Sequence, residues 1–439
     1  MIFKRKLYDK LLVWKQQTAG TKALLIEGAR RIGKSTLVEE FAKNEYRSYL
    51  MIDFNKVSDS VISAFNNYMN DLDTFFLILS SEYGVRLYPK ESIIIFDEIQ
   101  QFPKARQAIK YLVADGRFDY IETGSLISIK ENVNDITIPS EERTLLMYPM
   151  DFEEFAWAMN EEPLMAYIRQ CFDKKVPLEQ GIHAKAMLLF RQYMIVGGMP
   201  KSLSAYLENN RSFEMADMEK RDILTLYRND IKKIKSGYRS SVLSIFDQIP
   251  AFLSRSERRV VMNRIEKGAS FPKYHDTFFW LSDSMIANEC FNCSDPNVGL
   301  SLNEDRTYVK CYMGDTGLLI SHTFDENEIS DGELYREILL GKLSVNEGMF
   351  YENVIAQMLV AAGHKLYFYT RYNQEKHRND MEIDFILSNH SKLRYKIFPI
   401  EVKSNDKYSI RSLTRFNESF RQRIGGSYVI HPKNLSVKE

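Results

Sequence analysis

Gly28-Ala29-Arg30-Arg31-Ile32-Gly33-Lys34-Ser35 has the spacing GxxxxGK[ST], whose chemistry is the holding of a polyphosphate. Glycines at both ends of such a loop let backbone N–H groups curl round the phosphates at the positive end of a helix. A lysine reaches the β and γ oxygens, and a hydroxyl faces Mg²⁺. On this reading Gly28, Ala29, Arg30, Arg31, Ile32, Gly33, Lys34, Ser35 and Thr36 line an ATP site, with Ser35 on its metal side.

Two further sets of residues belong to the same chemistry. The run Ser92-Ile93-Ile94-Ile95-Phe96 ends in Asp97-Glu98. Asp97 is expected to bind the magnesium side of the nucleotide, and Glu98 to orient and polarise the attacking water. Two acids capping the next helix are the bland alternative. After Asp119-Tyr120-Ile121-Glu122 come Thr123, the candidate γ-phosphate sensor, and Ser125 as second choice; either hydroxyl could equally be a simple cap.

A third constellation lies near the other end of the chain. In Met381-Glu382-Ile383-Asp384-Phe385-Ile386-Leu387 the acids are two apart, so a strand puts both on one face, and Glu401 and Lys403 repeat the device. With Glu352, or less favourably Glu347, reaching in from the preceding helix, these oxygens would hold Mg²⁺ near a scissile phosphate, and Lys403 would orient water. The alternative is a salt-bridge lattice on an inert sheet.

These residues need strands and helices to carry them. Between Thr21 and Met150 the runs KALLIEG, RSYLMIDF, SIIIFDE, DYIETGS and RTLLMYP alternate with helical stretches. Each run is almost continuously apolar, the signature of an α/β fold with a parallel sheet covered on both faces. From Asp151 the pattern becomes helical, with apolar residues three and four apart in DFEEFAWAM, AKAMLLFRQYMIVGG and VLSIFDQIPAFLS. The segment SHTFDENEISDGELY reads as a linker, and the order α-β-β-β-α-β follows it. The expected divisions are a P-loop core over 1–150, a helical lid over 151–235, a winged-helix-like unit over 236–323, a linker over 324–340 and a final α/β domain over 341–439.

Composition narrows the partners. With 59 Lys plus Arg against 59 Asp plus Glu, overall charge gives no argument for nucleic-acid binding, so basic patches must be local. No apolar window suits a membrane helix and the N-terminus lacks a secretory pattern, so a cytoplasmic location is expected. Of the four cysteines only Cys290 and Cys293 have metal-ligand spacing, and reduced thiols are the better reading.

The succession GARRIGKST, IIIFDEIQ, ETGS, an arginine before LLMYPMDFEEF, GGMP, YMGDTGL, FYENVIAQML, EIDFIL and IEVKS resembles bacterial and archaeal AAA-type ATPases with a C-terminal restriction-endonuclease-like domain. The resemblance spans nearly the whole chain. It implies an AAA-type core whose sensor strand lies between the strands of the phosphate loop and of Asp97, a lid, a winged helix, and a C-terminal fold of the PD-(D/E)xK nuclease kind. In that family a Gly-Arg pair precedes the last core strand; here it is Glu142-Arg143, which keeps Arg143 as a candidate arginine finger, in cis or in trans, beside the plain reading of a surface arginine. The function expected is a Mg²⁺-dependent ATPase acting as a motor or switch on nucleic acid. The alternative is a signalling or scaffold ATPase that controls assembly with other proteins or with itself, its nuclease-like domain being inert.

Overall fold

The five apolar runs become one parallel sheet because both faces of each must be shielded from water, which crossover helices do. The computed structural model describes residues 1–437 other than 125–138, 235–238, 256–257, 261, 266–267, 269–270, 298, 326–331, 343–346, 374–377, 390–395 and 406. The strands are β1 (Ala23–Glu27), β2 (Ser48–Asp53), β3 (Ser92–Asp97), β4 (Asp119–Gly124) and β5 (Glu142–Leu146), in the spatial order β2-β3-β4-β1-β5. β4 thus sits between β1 and β3, as the resemblance implied. Helices α1 (Lys6–Gln17), α2 (Lys34–Glu45), α3 (Asp59–Asn67), α4 (Leu72–Tyr83) and α5 (Pro103–Asp115) cover it. One face is packed by Phe54, Phe65, Phe75 and Phe96, whose rings meet mostly edge to face.

The chain forms two compact units, the first 1–148 with 283–285 and the second 149–282 with 286–439. The second opens on Asp151, whose side chain accepts from Glu154 N at 2.9 Å while the Glu154 carboxylate accepts from Asp151 N, a reciprocal cap that fixes the start of helix Phe152–Ala158. Helices Glu162–Lys174, Gln180–Val196, Pro200–Glu208 and Phe213–Lys232 follow.

Three features depart from expectation. The stretch expected to be winged-helix-like holds helices Arg239–Leu253, Met262–Ile265 and Phe271–Asp283 and the hairpin of β6 (Ala287–Cys293) and β7 (Glu304–Met313), and that hairpin is not a free wing. β6 also pairs in parallel with β8 (Leu366–Asn373), giving a sheet β7-β6-β8-β9, with β9 spanning Arg378–Ile383. The expected single strand through Asp384 is split there: β9 pairs with β8, and β10 (Phe385–Asn389) joins β11 (Lys396–Val402) and β12 (Tyr428–Ile430). The domain order is therefore α-β-β-β-β-α-β. Finally, the expected linker contains helix Glu333–Leu340, whose Tyr335 and Ile338, three apart, are buried.

The motifs GGMP, DTGL and FYENVIAQ converge on one buried polar hub. Asp315 accepts from Gly198 N at 2.6 Å, Leu318 N at 2.9 Å and Gln357 Nε2 at 3.2 Å, and burial holds its carboxyl above the usual range. Gly197 is glycine because its φ is +80° and because a Cβ there would strike Asp315. Asp315→Ala would take an acceptor from three buried donors, the N–H groups of Gly198 and Leu318 and the Gln357 amide, at a cost of about 3 kcal/mol. Thermal unfolding followed by circular dichroism should show a drop of several degrees in Tm; an unchanged Tm would show that water replaces the carboxylate.

Candidate functional site

β1 delivers the chain to Gly28 at the carboxyl edge of the sheet, and helix α2 begins at Lys34. Gly28 is required by close approach, since a Cβ there would run into the Met147 carbonyl, and Gly33 by its φ of +90°. The Lys34 side chain is buried and its Nζ donates to the carbonyls of Gly28 at 3.0 Å and Ala29 at 2.9 Å. Burial draws its pKa down to about 8, partly opposed by the carboxylates of Glu98 and Asp97.

Asp97 is the centre of the site. Its Oδ1 accepts from Ser35 Oγ at 2.7 Å and also from Thr123 Oγ1. The last residues of β3 and β4 and the first turn of α2 are therefore drawn onto one carboxylate oxygen. Ser35 and Asp97 present a hydroxyl and a carboxylate side by side, the donor set that suits Mg²⁺ bound beside a nucleotide, so the residues present fit that ion. Glu98 follows with φ +56° and ψ +47°, a left-handed conformation disfavoured for any residue with a Cβ and often kept at functional sites. Its carboxylate accepts from Gln100 Nε2, and its N–H points at Thr123 Oγ1 at 3.4 Å.

Ala29 and Ile32 are buried in the loop, Arg30 is half-buried, and Arg31 is exposed with φ +67°. Thr36 lies in the first turn of α2. Ser125 falls outside the described residues. Arg143 is not brought to the loop: it stands opposite Leu24, three ladder positions before Glu27, and lines a cavity of about 220 Å³ with Asp9, Lys10, Val13, Trp14 and Leu145. Glu142, which replaces the expected glycine, is buried in a two-pronged ion pair with Arg106 of α5, at 2.9 and 2.7 Å. Beside them the wholly buried Glu122 has its carboxyl pushed well above the usual range by burial and by Glu142.

Arg5 and Gln100 escaped the reading of the sequence. The Arg5 guanidinium donates to the Ile32 carbonyl at 3.0 Å and the Tyr148 carbonyl at 2.6 Å, tying the phosphate loop to the segment after β5. No periodicity marks it.

In the second unit the structure gathers Glu352, Glu382 and Asp384 around one lysine. Lys310 Nζ lies 3.1 Å from Glu352 Oε1, 3.4 Å from Glu382 Oε1 and 3.8 Å from Asp384 Oδ1. Tyr312 donates to Glu352 Oε1, and Arg258 pairs with Glu352 Oε2. Glu401 lies 3.1 Å from Lys403, with its carboxyl raised above the usual range by burial, and Asp384 accepts from Val402 N at 2.8 Å. Of these residues Arg258, Glu382, Asp384, Glu401, Val402 and Lys403 line a cleft of about 490 Å³. Glu347 is half-buried near Arg191. Cys290 and Cys293 are buried free thiols whose pKa burial raises, Cys293 packing among Leu300, Met381 and Ile386. Among the described residues no three His, Cys, Asp or Glu side chains converge to hold a metal ion.

Residues 20–156 match a family model described as an AAA domain, and residues 187–328 and 347–439 match two domains of unknown function, DUF8612 and DUF4143. No curated protein matches the chain. Among solved structures it is similar to the Orc1 protein of Aeropyrum pernix in complex with DNA, at 9% identity over 74% of this chain and 93% of that one, with a TM-score of 0.28. It is also similar to the RuvB Holliday junction branch migration motor of Thermotoga maritima, at 12% identity over 67% and 90% of the two chains, TM-score 0.27. A signal transduction ATPase with numerous domains from Pyrococcus horikoshii gives 12% identity over 81% and 48%, TM-score 0.29. By the family match residues 20–156 carry a P-loop ATPase domain of AAA type, and among the described residues no helix is long and apolar enough to cross a membrane.

Proposed function

We propose that this chain is a Mg²⁺-dependent ATPase that works as a motor or switch on nucleic acid. The observation that carries the ATPase part is the meeting of Ser35 and Thr123 on Asp97 beside the buried Lys34. Backbone N–H groups of the loop and the Lys34 ammonium bind the phosphates of ATP. Ser35 and Asp97 would hold Mg²⁺, which supplies charge neutralisation on the phosphoryl oxygens. Thr123 fixes the Asp97 carboxylate, and Glu98, set by its left-handed turn and by Gln100, orients the attacking water. A finger role for Arg143 would act on the nucleotide of a neighbouring copy, since in its own unit the side chain faces α1.

Nucleic acid is favoured over a protein partner by local charge: from Lys403 to Arg423 the chain has six Lys and Arg against two acids, Asp406 and Glu418, in an otherwise balanced sequence. The test is ATP turnover by the purified protein with Mg²⁺, alone and with single- or double-stranded DNA. Turnover raised by DNA is expected. No turnover removes the ATPase reading, and turnover indifferent to both DNA forms moves the function to a protein switch.

The Lys34 pKa of about 8 gives the site a pH dependence. Below that value the lysine is protonated with or without ATP, so affinity is flat. Above it the free protein gives up the proton while bound triphosphate retains it, and affinity falls by up to about tenfold per pH unit. Isothermal titration of ATP over this range checks the sign; affinity constant well above pH 8 would place the lysine pKa higher.

A further inference from the structure

The carboxylates expected to hold a metal in the second unit do not fit one, because the chain supplies its own cation. Lys310 rises from β7 with its side chain 1% exposed and stands within salt-bridge reach of Glu352, Glu382 and Asp384 together. Further contacts hold the same set: Arg258 pairs with Glu352, Val402 N donates to Asp384, and Lys403 pairs with Glu401. A divalent ion would have to displace a buried ammonium from a fully buried carboxylate, leaving that ammonium in a dry site with no counter-charge, which is strongly unfavourable.

The cleft above this floor has the opposite bias. Its walls hold Arg258, Lys403, Lys407 and Arg411 against Glu382, Asp384 and Glu401; Glu382 pairs with Lys310, Lys403 with Glu401 and Arg258 with Glu352, which leaves Lys407 and Arg411 to a ligand. Lys407 and Arg411 are exposed and make no ion pair among the described residues. Ser404, Asn405, Tyr408, Ser409 and Ser412 line the same cleft. Arginine, lysine, hydroxyl and amide donors with no base-reading element are what backbone phosphates take. Arg411 and Arg415, four apart on helix Arg411–Ser419, continue the strip along one helix face.

We infer that this cleft is a metal-independent receptor for the phosphodiester backbone of a nucleic-acid strand, in which the Lys310 ammonium holds the place of a divalent cation and cleavage does not occur. The inference rests on the nucleic-acid reading of the chain and locates its contact. It assigns Lys407 and Arg411 to the ligand and Lys310 to positioning the acidic floor.

The experiment uses the full-length protein without nucleotide. A fluorescently labelled DNA strand and the matching duplex are titrated by anisotropy in EDTA, with the wild type and with Lys407→Ala/Arg411→Ala. Binding in EDTA is expected, weakened roughly tenfold in the double variant, with the salt dependence of log Kd shallower by about one to two. In parallel, Mn²⁺ titration followed by electron paramagnetic resonance should be the same for wild type and Asp384→Asn, and Mn²⁺ should release no cleaved DNA. A Mn²⁺ site that vanishes in Asp384→Asn, Mn²⁺-dependent cleavage, or equal DNA binding by wild type and double variant overturns the inference. These outcomes are separable from the wider reading: ATP turnover indifferent to DNA with EDTA-resistant, Lys407- and Arg411-dependent binding leaves the cleft standing and removes only the motor. No DNA binding by the wild type under any condition removes both.

Discussion

Glu98→Gln is expected to leave ATP affinity within about threefold of wild type while lowering turnover by roughly a hundredfold or more. The replacement is nearly isosteric, so the left-handed turn at φ +56° and the contact with Gln100 have the same room. What changes is the charge that polarises the water, and that charge acts mainly in the transition state. The binding half of the prediction follows from position: Lys34 is held by the Gly28 and Ala29 carbonyls and Ser35 by Asp97, and none of these bonds passes through Glu98. Single-turnover hydrolysis beside equilibrium nucleotide binding separates the two quantities. A parallel fall in affinity and rate would make Glu98 a structural residue that holds the turn after β3.

How much of this was legible in the sequence depended on how local each feature is. Gly28 to Ser35 is one contiguous loop between a strand and a helix, so spacing and flanks sufficed. Asp97 was legible because β3 is a short, wholly buried run that must end at the same sheet edge as β1. Arg5 was not, since its contact with Ile32 spans 27 residues and leaves no pattern. Glu142 was seen as a departure from Gly-Arg, but its partner Arg106 lies 36 residues away on α5.

The second unit was harder for the same reason. The parity of Glu382 and Asp384 survives the break between β9 and β10, since both face Lys310. Lys310 itself was hidden within RTYVKCYMG, because a lysine in a strand is ordinarily solvated and its burial appears only when β6 pairs with β8, Cys290 opposite Leu366. The split at Asp384 likewise follows from which neighbours pair on each side, information that strand periodicity does not contain.

Lys34→Ala is expected to have the largest effect of any single change, reducing turnover to background and weakening ATP binding by a hundredfold or more, which is about 2.7 kcal/mol. The lysine is the only cation of the phosphate loop that is buried within it, and a polyphosphate placed in a dry loop depends on such a charge far more than one in water. Lys34→Arg should not rescue, because a planar guanidinium cannot occupy the small ring of carbonyls from Gly28 and Ala29 that holds the ammonium at 3.0 and 2.9 Å. The change should not unfold the protein. Burial depresses the Lys34 pKa to about 8, so at neutral pH the folded chain bears a cost for keeping this charge, which alanine removes while giving up two hydrogen bonds. The nucleotide-free Tm is therefore expected to stay within a few degrees of wild type, whereas the upward shift of Tm that wild type shows on adding ATP and Mg²⁺ should be absent in Lys34→Ala. A variant with normal Tm and a full ATP-induced shift would remove Lys34 from the phosphate site and, with it, the assignment of the loop.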